Sequence, residues 1–314
     1  MSKLLRRTAI LLVSLLAASI IVFAFMAVLP GDPAQVALGV NATPELLSRT
    51  RAEFGLDRSL LSQYLDWMGG LFSGDFGRSY VTGEPIGPQL LDRLGVTLWL
   101  VGAGMLVALA LAVPFGTMAA VRHRRAGGAA ISGLSQLGMA IPAFLAGILL
   151  VQVFAVQLRW LPSGGWTPPI QDFGEFLRGL ILPALSLGLV QGAVLTRYVR
   201  SAVLDTLGQD YLRTARSKGL RPYPALLRHG LRNAAVPVVT VLGLQLATLL
   251  VGAVVVERVF VLPGLGSMLL DSVAARDLRT VQGIVLVLVA GVLLVNFLVD
   301  LLYQVIDPRL RGAR

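Results

Sequence analysis

Titratable and nucleophilic side chains are scarce in this chain and badly spaced for catalysis. It has two histidines, His123 and His229, in separate segments, and no cysteine. Without cysteine there are no disulfides, thiolate metal sites or thiol nucleophiles. No His/Asp/Glu cluster has metal-ligand spacing. No Gly-x-x-x-x-Gly-Lys-Ser/Thr run is present to cradle nucleotide phosphates, so this chain has no motif for ATP hydrolysis. Polar groups do occur inside the long apolar stretches, but they are neutral: Gln136, Gln152, Gln191, Gln245 and Asn296. Each could line a polar passage, or simply hydrogen-bond between helices for about 1 kcal/mol or less. Ion-driven carriers keep costly charges at that depth for function. None is present here, so the energy for any transport is expected from outside the spans.

The elements that carry these residues are set by hydropathy. The chain is 55% hydrophobic and 14% charged, with a mean hydropathy of +0.76, which places it in the membrane class. Six uncharged windows approach or exceed the roughly 20 residues needed to cross a hydrocarbon core. They are Thr8–Leu29, Leu94–Val121, Ala126–Leu158, Gly179–Thr196, Asn233–Val256 and Thr280–Val299. The second and third exceed a straight span, so tilt or flanking interfacial turns are expected there. The apolar core of the first is longer than a signal h-region and has no clear cleavage site before Pro30, so it reads as a retained span.

Orientation follows the distribution of Lys and Arg. With the N-terminus in the cytoplasm, the inner segments hold 17 of the 27 basic residues and only 4 of the 17 acidic ones. Both termini are therefore expected inside. This segregation also accounts for the net charge of +10 without a nucleic-acid partner, because the basic residues form no single patch with aromatic platforms.

Between the spans, segment 30–93 is too long for a bare connector. Thr43-Pro44 predicts a capped helix start. Leu60, Leu61, Tyr64, Leu65, Met68, Leu71 and Phe72 recur at helical spacing until Gly74-Asp75-Phe76-Gly77 stops them. These helices either lie at the membrane surface or form a small extracytoplasmic cap. Trp160 and Trp166, beside Leu-Pro-Ser-Gly-Gly, suit an interfacial belt. Pro263, Gly264 and Gly266 suggest a short re-entrant or interfacial element packed on the bundle. Gly188 and Gly192, four residues apart, suit close helix approach.

The basic loop Asp210–Pro237 is the most distinctive segment. Residues 204–218 predict a helix continuing inward from the fourth span, and Gly219 can take the left-handed conformation that closes it. Pro222 and Pro224 are expected to reset direction, with Ala225–Asn233 rising into the fifth span. The outcome is an exposed corner centred on Gly219-Leu220, or on residue types alone a solvated basic loop that holds topology.

This loop resembles the cytoplasmic "EAA" loop, Glu-Ala-Ala-x3-Gly-x9-Ile-x-Leu-Pro, of permease subunits of ATP-binding cassette importers of the dipeptide/oligopeptide/nickel branch. Aligned on Gly219, Arg213-Thr214-Ala215 takes the first three positions, His229 replaces Ile and Leu231 matches Leu. Arg232 stands at the Pro position, and the proline is delayed to Pro237. A role for the motif's acidic residue therefore does not carry over. The resemblance runs along the chain through Leu29-Pro30-Gly31-Asp32-Pro33, Phe54-Gly55-Leu56-Asp57, Gln63-Tyr64, Gly74-Asp75-Phe76-Gly77, Glu257-Arg258-Val259-Phe260, Pro263-Gly264-Leu265-Gly266 and Ile306-Asp307-Pro308-Arg309.

The resemblance implies an all-α polytopic protein with six transmembrane helices, the type I ABC importer permease fold with an extracytoplasmic insertion after the first helix. Residues 1–29 would hold the first span, 30–93 the extracytoplasmic segment and 94–314 a five-helix core with a cytoplasmic coupling loop at 197–232. It further implies a bacterial plasma membrane location, a paralogous permease subunit, two ABC ATPase subunits that hold ATP and Mg, and an extracytoplasmic substrate-binding protein. This chain would carry no cofactor. Coupling to the ATPases would fall on Arg213, Thr214, Ala215, Arg216, Ser217, Lys218, Gly219, Leu220 and Arg221. The cargo implied is di- or oligopeptide, with nickel or another chelated solute as the alternative. An ATP-independent carrier or channel, or a structural membrane protein, stays open on the residues alone.

Overall fold

The computed structural model describes residues 2–220 and 222–306. In chain order the helices are α1 (Ser2–Val28), α2 (Pro33–Leu38), α3 (Pro44–Glu53), α4 (Leu60–Phe72), α5 (Ile86–Val121), α6 (Ala126–Ala140), α7 (Ala143–Leu150, running on as a π-helix to Gln157), α8 (Phe173–Leu207), α9 (Asp210–Ser217), α10 (Pro222–Ala225, running on as a π-helix to Gly230), α11 (Leu231–Val259), α12 (Leu265–Ala274) and α13 (Leu278–Ile306). The described residues form no β-strand beyond one isolated bridge, Arg78 to Pro85. By length and apolarity, α1, α5, α8, α11 and α13 can each cross a membrane. The pair α6 and α7, bent by 97°, supplies a sixth span if counted as one.

The excess length of the third window, expected to go into tilt or flanking turns, is instead taken up by this bend in its middle. Pro142 has no N–H to continue the helix, and its ring drives Ile141 out of the helical region, to φ −91° and ψ 122°. The long helices also overrun their uncharged windows, because α5 starts eight residues before Leu94 and α8 takes in Glu175, Arg178, Arg197 and Arg200.

Two compact units divide the chain. The first comprises residues 1–97 and 263–294. Its α2 is capped by Asp32, whose carboxylate accepts from the Ala34 N–H. Thr43 caps α3 with Pro44 at the first helical position, as its sequence predicts. Helix α4 packs on α1, and Phe23 meets both Tyr64 and Trp67. The turn 78–85 is fastened to the start of α13 by Asp277. This buried carboxylate accepts from Ser79 Oγ at 2.6 Å, Thr280 Oγ1 at 2.6 Å and the Tyr80 N–H at 3.2 Å. Helix α12 is the short element foreseen at Pro263–Gly266. Its Leu265 and Met268 pack with Ile86, Leu90 and Ile284 in an apolar cluster.

The second unit comprises residues 98–262 and 295–314 and is built around α8. Small residues bring its helices together. A methyl group on Gly188 would run into Val107, and one on Gly192 would lie 3.3 Å from the Ala108 carbonyl oxygen. On the α5 side, Gly104 and Gly116 admit Leu187 and Val199 in the same way. These glycines act as close-approach sites, the use their spacing suggests. At the far end of α8, Trp166 sits edge-on to Phe176, while Trp160 is exposed.

Candidate functional site

The Asp210–Pro237 loop lies wholly in the second unit. Helix α8 does not continue unbroken to Lys218, as expected from sequence. It stops at Leu207, where Gly208 donates back to Leu204 and Thr206, and α9 starts afresh at Asp210. A glycine followed by Gln-Asp favours this stop, because Gly weakens a helix and Asp suits a helix start. Helix α9 then closes as foreseen. Gly219 takes φ +92°, and the Leu220 N–H returns to the Ala215 carbonyl at 3.3 Å. That six-to-one bond across a left-handed glycine is a Schellman close.

Neither proline continues α9: Pro222 opens a separate helical element, α10, and Pro224 lies in its first turn. In a first helical turn the missing proline N–H groups have no intrahelical partners to lose. The chain re-enters α11 through the π-turn Leu226–Gly230, so Ala225–Asn233 is helical but irregular.

A small apolar knot holds this corner against the end of α8. Leu212 on α9 and Leu226 on the π-turn are both fully buried, and Thr206 on α8 is 5% exposed. Gly230 lies among them: a methyl group there would sit 2.9 Å from Leu226 Cδ1, 3.0 Å from Thr206 Cγ2 and 3.1 Å from Leu212 Cδ1. A side chain there would force these three methyl groups to give way. A second tie runs from Asn233 Nδ2, which donates to the Tyr211 hydroxyl at 2.9 Å. The knot was missed in the sequence. Leu212 and Leu226 are two of five leucines in this loop, and nothing local sets them apart from Leu220, Leu227 and Leu231.

Outside the knot the corner faces solvent. Arg213, Thr214, Ser217, Lys218 and Gly219 are exposed, and Ala215 and Leu220 are half-buried. Thr214 and Ser217 donate their hydroxyls back to the carbonyls of Asp210 and Arg213, which leaves α9 self-satisfied. The Arg213–Asp210 pair, at 3.6 Å with both side chains exposed, adds little. Nothing lies within 4 Å of a methyl group added to Gly219. Arg216 lies in α9 but its side chain is outside the described set, and Arg221 lies outside the described residues altogether. Beside the corner is a cleft of about 350 Å³ lined by Tyr211, Thr214, Ala215, Lys218, Leu220 and Asn233. Five of the nine predicted contact residues, 213, 214 and 217–219, are thus exposed, with Ala215 and Leu220 half-buried.

The intramembrane polar residues differ in burial. Gln191 is buried on α8, and its Oε1 makes no hydrogen bond among the described residues. Gln136, Gln152 and Asn296 are exposed and Gln245 is half-buried. A separate cavity of about 390 Å³ beside the α6–α7 bend is apolar, lined by Leu111, Phe115, Leu134, Ile141 and Leu189 among others. No three His, Asp or Glu side chains among the described residues are grouped to hold a metal ion.

Comparison with known proteins accounts for this architecture. Residues 112–312 match the model of the binding-protein-dependent transport system inner membrane component, and residues 1–101 match that of its N-terminal region. A Brucella ovis protein assigned, by name only, as a peptide permease is 41% identical over 302 residues, 95% of each chain. The glutathione transport system permease protein GsiC of Escherichia coli K12 is 39% identical over 301 residues, 96% of each chain. Among solved structures, the inward-facing MetNI methionine ABC transporter superposes with a TM-score of 0.55 at 17% identity, over 69% of this chain and 96% of that one. An amino acid ABC transporter follows with a TM-score of 0.50 at 16% identity, over 69% and 94%. The fold is that of a type I ABC importer permease.

Proposed function

This chain belongs to the family of binding-protein-dependent transport system inner membrane components, and from that premise we propose that it forms half of a peptide-conducting pathway driven from the cytoplasm at the Gly219 corner. As a member it is a multi-pass inner-membrane permease subunit of an ABC importer, working with ATPase and substrate-binding components. The finer assembly proposed is one paralogous permease, two ATPases and one extracytoplasmic binding protein, with both termini in the cytoplasm. Residues 30–93 form the extracytoplasmic segment and 94–314 the core. The chain itself is non-catalytic.

The observation that carries the coupling role is the combination of an exposed, self-satisfied α9 with a buried knot beneath it. Force transmission needs a surface a partner can seat on and a base that does not yield. Close packing among Leu212, Leu226, Thr206 and Gly230 supplies the base. Closure of the two ATPases on ATP moves the corners together and switches the passage between inward- and outward-facing states, a two-state element biased by nucleotide. Residues 213–221 provide the seat.

Peptide is the favoured cargo because relatives aligned over 95% or more of their length carry peptide or glutathione names. The complete complex, reconstituted in proteoliposomes with its binding protein, is expected to accumulate labelled di- or tripeptide only when ATP reaches the ATPases. Uptake of a nickel chelate with no peptide uptake would replace the cargo. Peptide uptake without ATP would overturn the coupling.

A further inference from the structure

Helix α4 divides into three faces, and only two have an evident environment. At about 100° per residue, Tyr64, Trp67 and Leu71 point to one side. There Trp67 is buried, and Tyr64 and Trp67 meet Phe23 of α1 at ring distances of 5.4 and 5.9 Å. Ser62, Gln63 and Asp66 form the polar side, where Asp66 pairs with Arg58 at 2.7 Å in full view of solvent. Leu61, Leu65, Met68 and Phe72 form the third side, within an arc of about 60°. Leu61, Leu65 and Phe72 are 69%, 58% and 87% exposed.

The depth of α4 identifies what covers that third face. The Tyr64 hydroxyl shares a hydrogen bond of 2.9 Å with Ser19 Oγ, well inside the apolar α1. At about 1.5 Å per residue, Phe23 lies roughly 8 Å and Ser19 roughly 14 Å back from the Val28 end of that helix. With the Val28 end of the apolar α1 taken as the edge of the hydrocarbon core, a helix held at Phe23, with a long side chain reaching on to Ser19, lies below that edge. Helices lying in the interface bury their apolar face roughly 5–10 Å into the headgroup and acyl boundary, which is the depth these contacts impose. The α1 surface beside it is equally apolar and uncovered, with Ile20, Ile21, Phe25 and Val28 exposed.

We infer that α4 is an interfacial helix embedded in the leaflet at the Val28 end of α1, with Leu61, Leu65 and Phe72 in contact with lipid acyl chains. Of the two readings open for segment 30–93, this assigns α4 to the membrane and leaves α2 and α3 free of it. The inference holds whichever solute is carried. It also explains why an otherwise polar connector contains a run as apolar as Leu60–Phe72: the run anchors the segment to the bilayer and to α1 at once.

Because the native chain has no cysteine, single-cysteine variants carry one label each. Leu61→Cys, Leu65→Cys, Phe72→Cys, Ser62→Cys and Asp66→Cys are labelled with an environment-sensitive fluorophore, in the assembled transporter in phosphatidylethanolamine/phosphatidylglycerol nanodiscs. Labels at 61, 65 and 72 are expected to be quenched by acyl-chain nitroxides at least roughly threefold more than by aqueous iodide, with the reverse at 62 and 66. Iodide access at all five positions would make α4 a water-exposed cap and overturn the inference. Protection of 61, 65 and 72 from both quenchers, whether at rest or only with the binding protein added, would mean that protein covers the face, and would overturn it equally.

Discussion

At Gly230 the absence of a single methyl group lets Leu212, Leu226 and Thr206 close on one another, so Gly230→Ala overpacks the knot from three sides. A cost of about 1–3 kcal/mol is expected. It should appear as a lower thermal midpoint of the purified complex, with uptake falling more than binding-protein docking. Gly127→Ala is the control: it too is a helical glycine, but nothing lies within 4 Å of its added methyl group, so it should be neutral or slightly stabilising. Asp277→Ala tests the other residue-scale fastening. It leaves the Ser79 and Thr280 hydroxyls and the Tyr80 N–H without their shared acceptor, for about 1–3 kcal/mol in the same melt. Burial, helped by Asp277 and opposed by Arg279, raises the Tyr80 phenol above its ordinary value of 10.0. A raised folded-state pKa means that its contribution is complete below the unfolded value and is lost as pH climbs above it. Tyrosinate absorbance should therefore show Tyr80 titrating after the exposed tyrosines, and Tyr80→Phe should remove that late step. None of these fastenings was legible from residue types. They join positions far apart in sequence, and a lone Asp or Gly in a loop carries no mark of its distant partner.

Elements were legible where a local rule decides them. Thr43-Pro44 and Gly219 announced their caps, and the spacing of Leu60–Phe72 announced α4, because capping and amphipathicity are written within a few residues. Helix ends and bends were less so. An uncharged window stops at the first charge, whereas α5 and α8 extend through charged turns that lie beyond the apolar stretch, reaching 36 and 35 residues. The 97° bend in the third window had a signal in Ile141-Pro142, but apolar length alone hides direction. Gly208 ended α8 eleven residues before the expected close, on a glycine that could equally have been tolerated mid-helix. At this scale the close contact of α8 with α5 is the testable feature. Gly188→Val should disrupt the packing around Val107 and abolish assembly, as judged by size-exclusion of the detergent-solubilised complex. Gly102→Val, with open space around it, should assemble normally.

For the whole molecule, the decisive features are the match to an importer permease family and one exposed corner packed on a buried apolar knot. The ordered motifs from Leu29-Pro30 to Ile306-Asp307 made the family legible, and the family models cover residues 1–101 and 112–312. The pathway was not legible, because the neutral polar residues of the spans differ in burial and none is marked out by its sequence neighbours as lining a passage. Coupling is therefore to be tested at the corner. Gly219 holds φ +92° with open space around it, and proline, fixed near −65°, cannot take that conformation. The direct measurement is ATP turnover and peptide uptake side by side, in proteoliposomes holding the complete complex with Gly219→Pro. The account predicts an assembled complex that still hydrolyses ATP while uptake falls to background; uptake at the wild-type rate per ATP hydrolysed would contradict it.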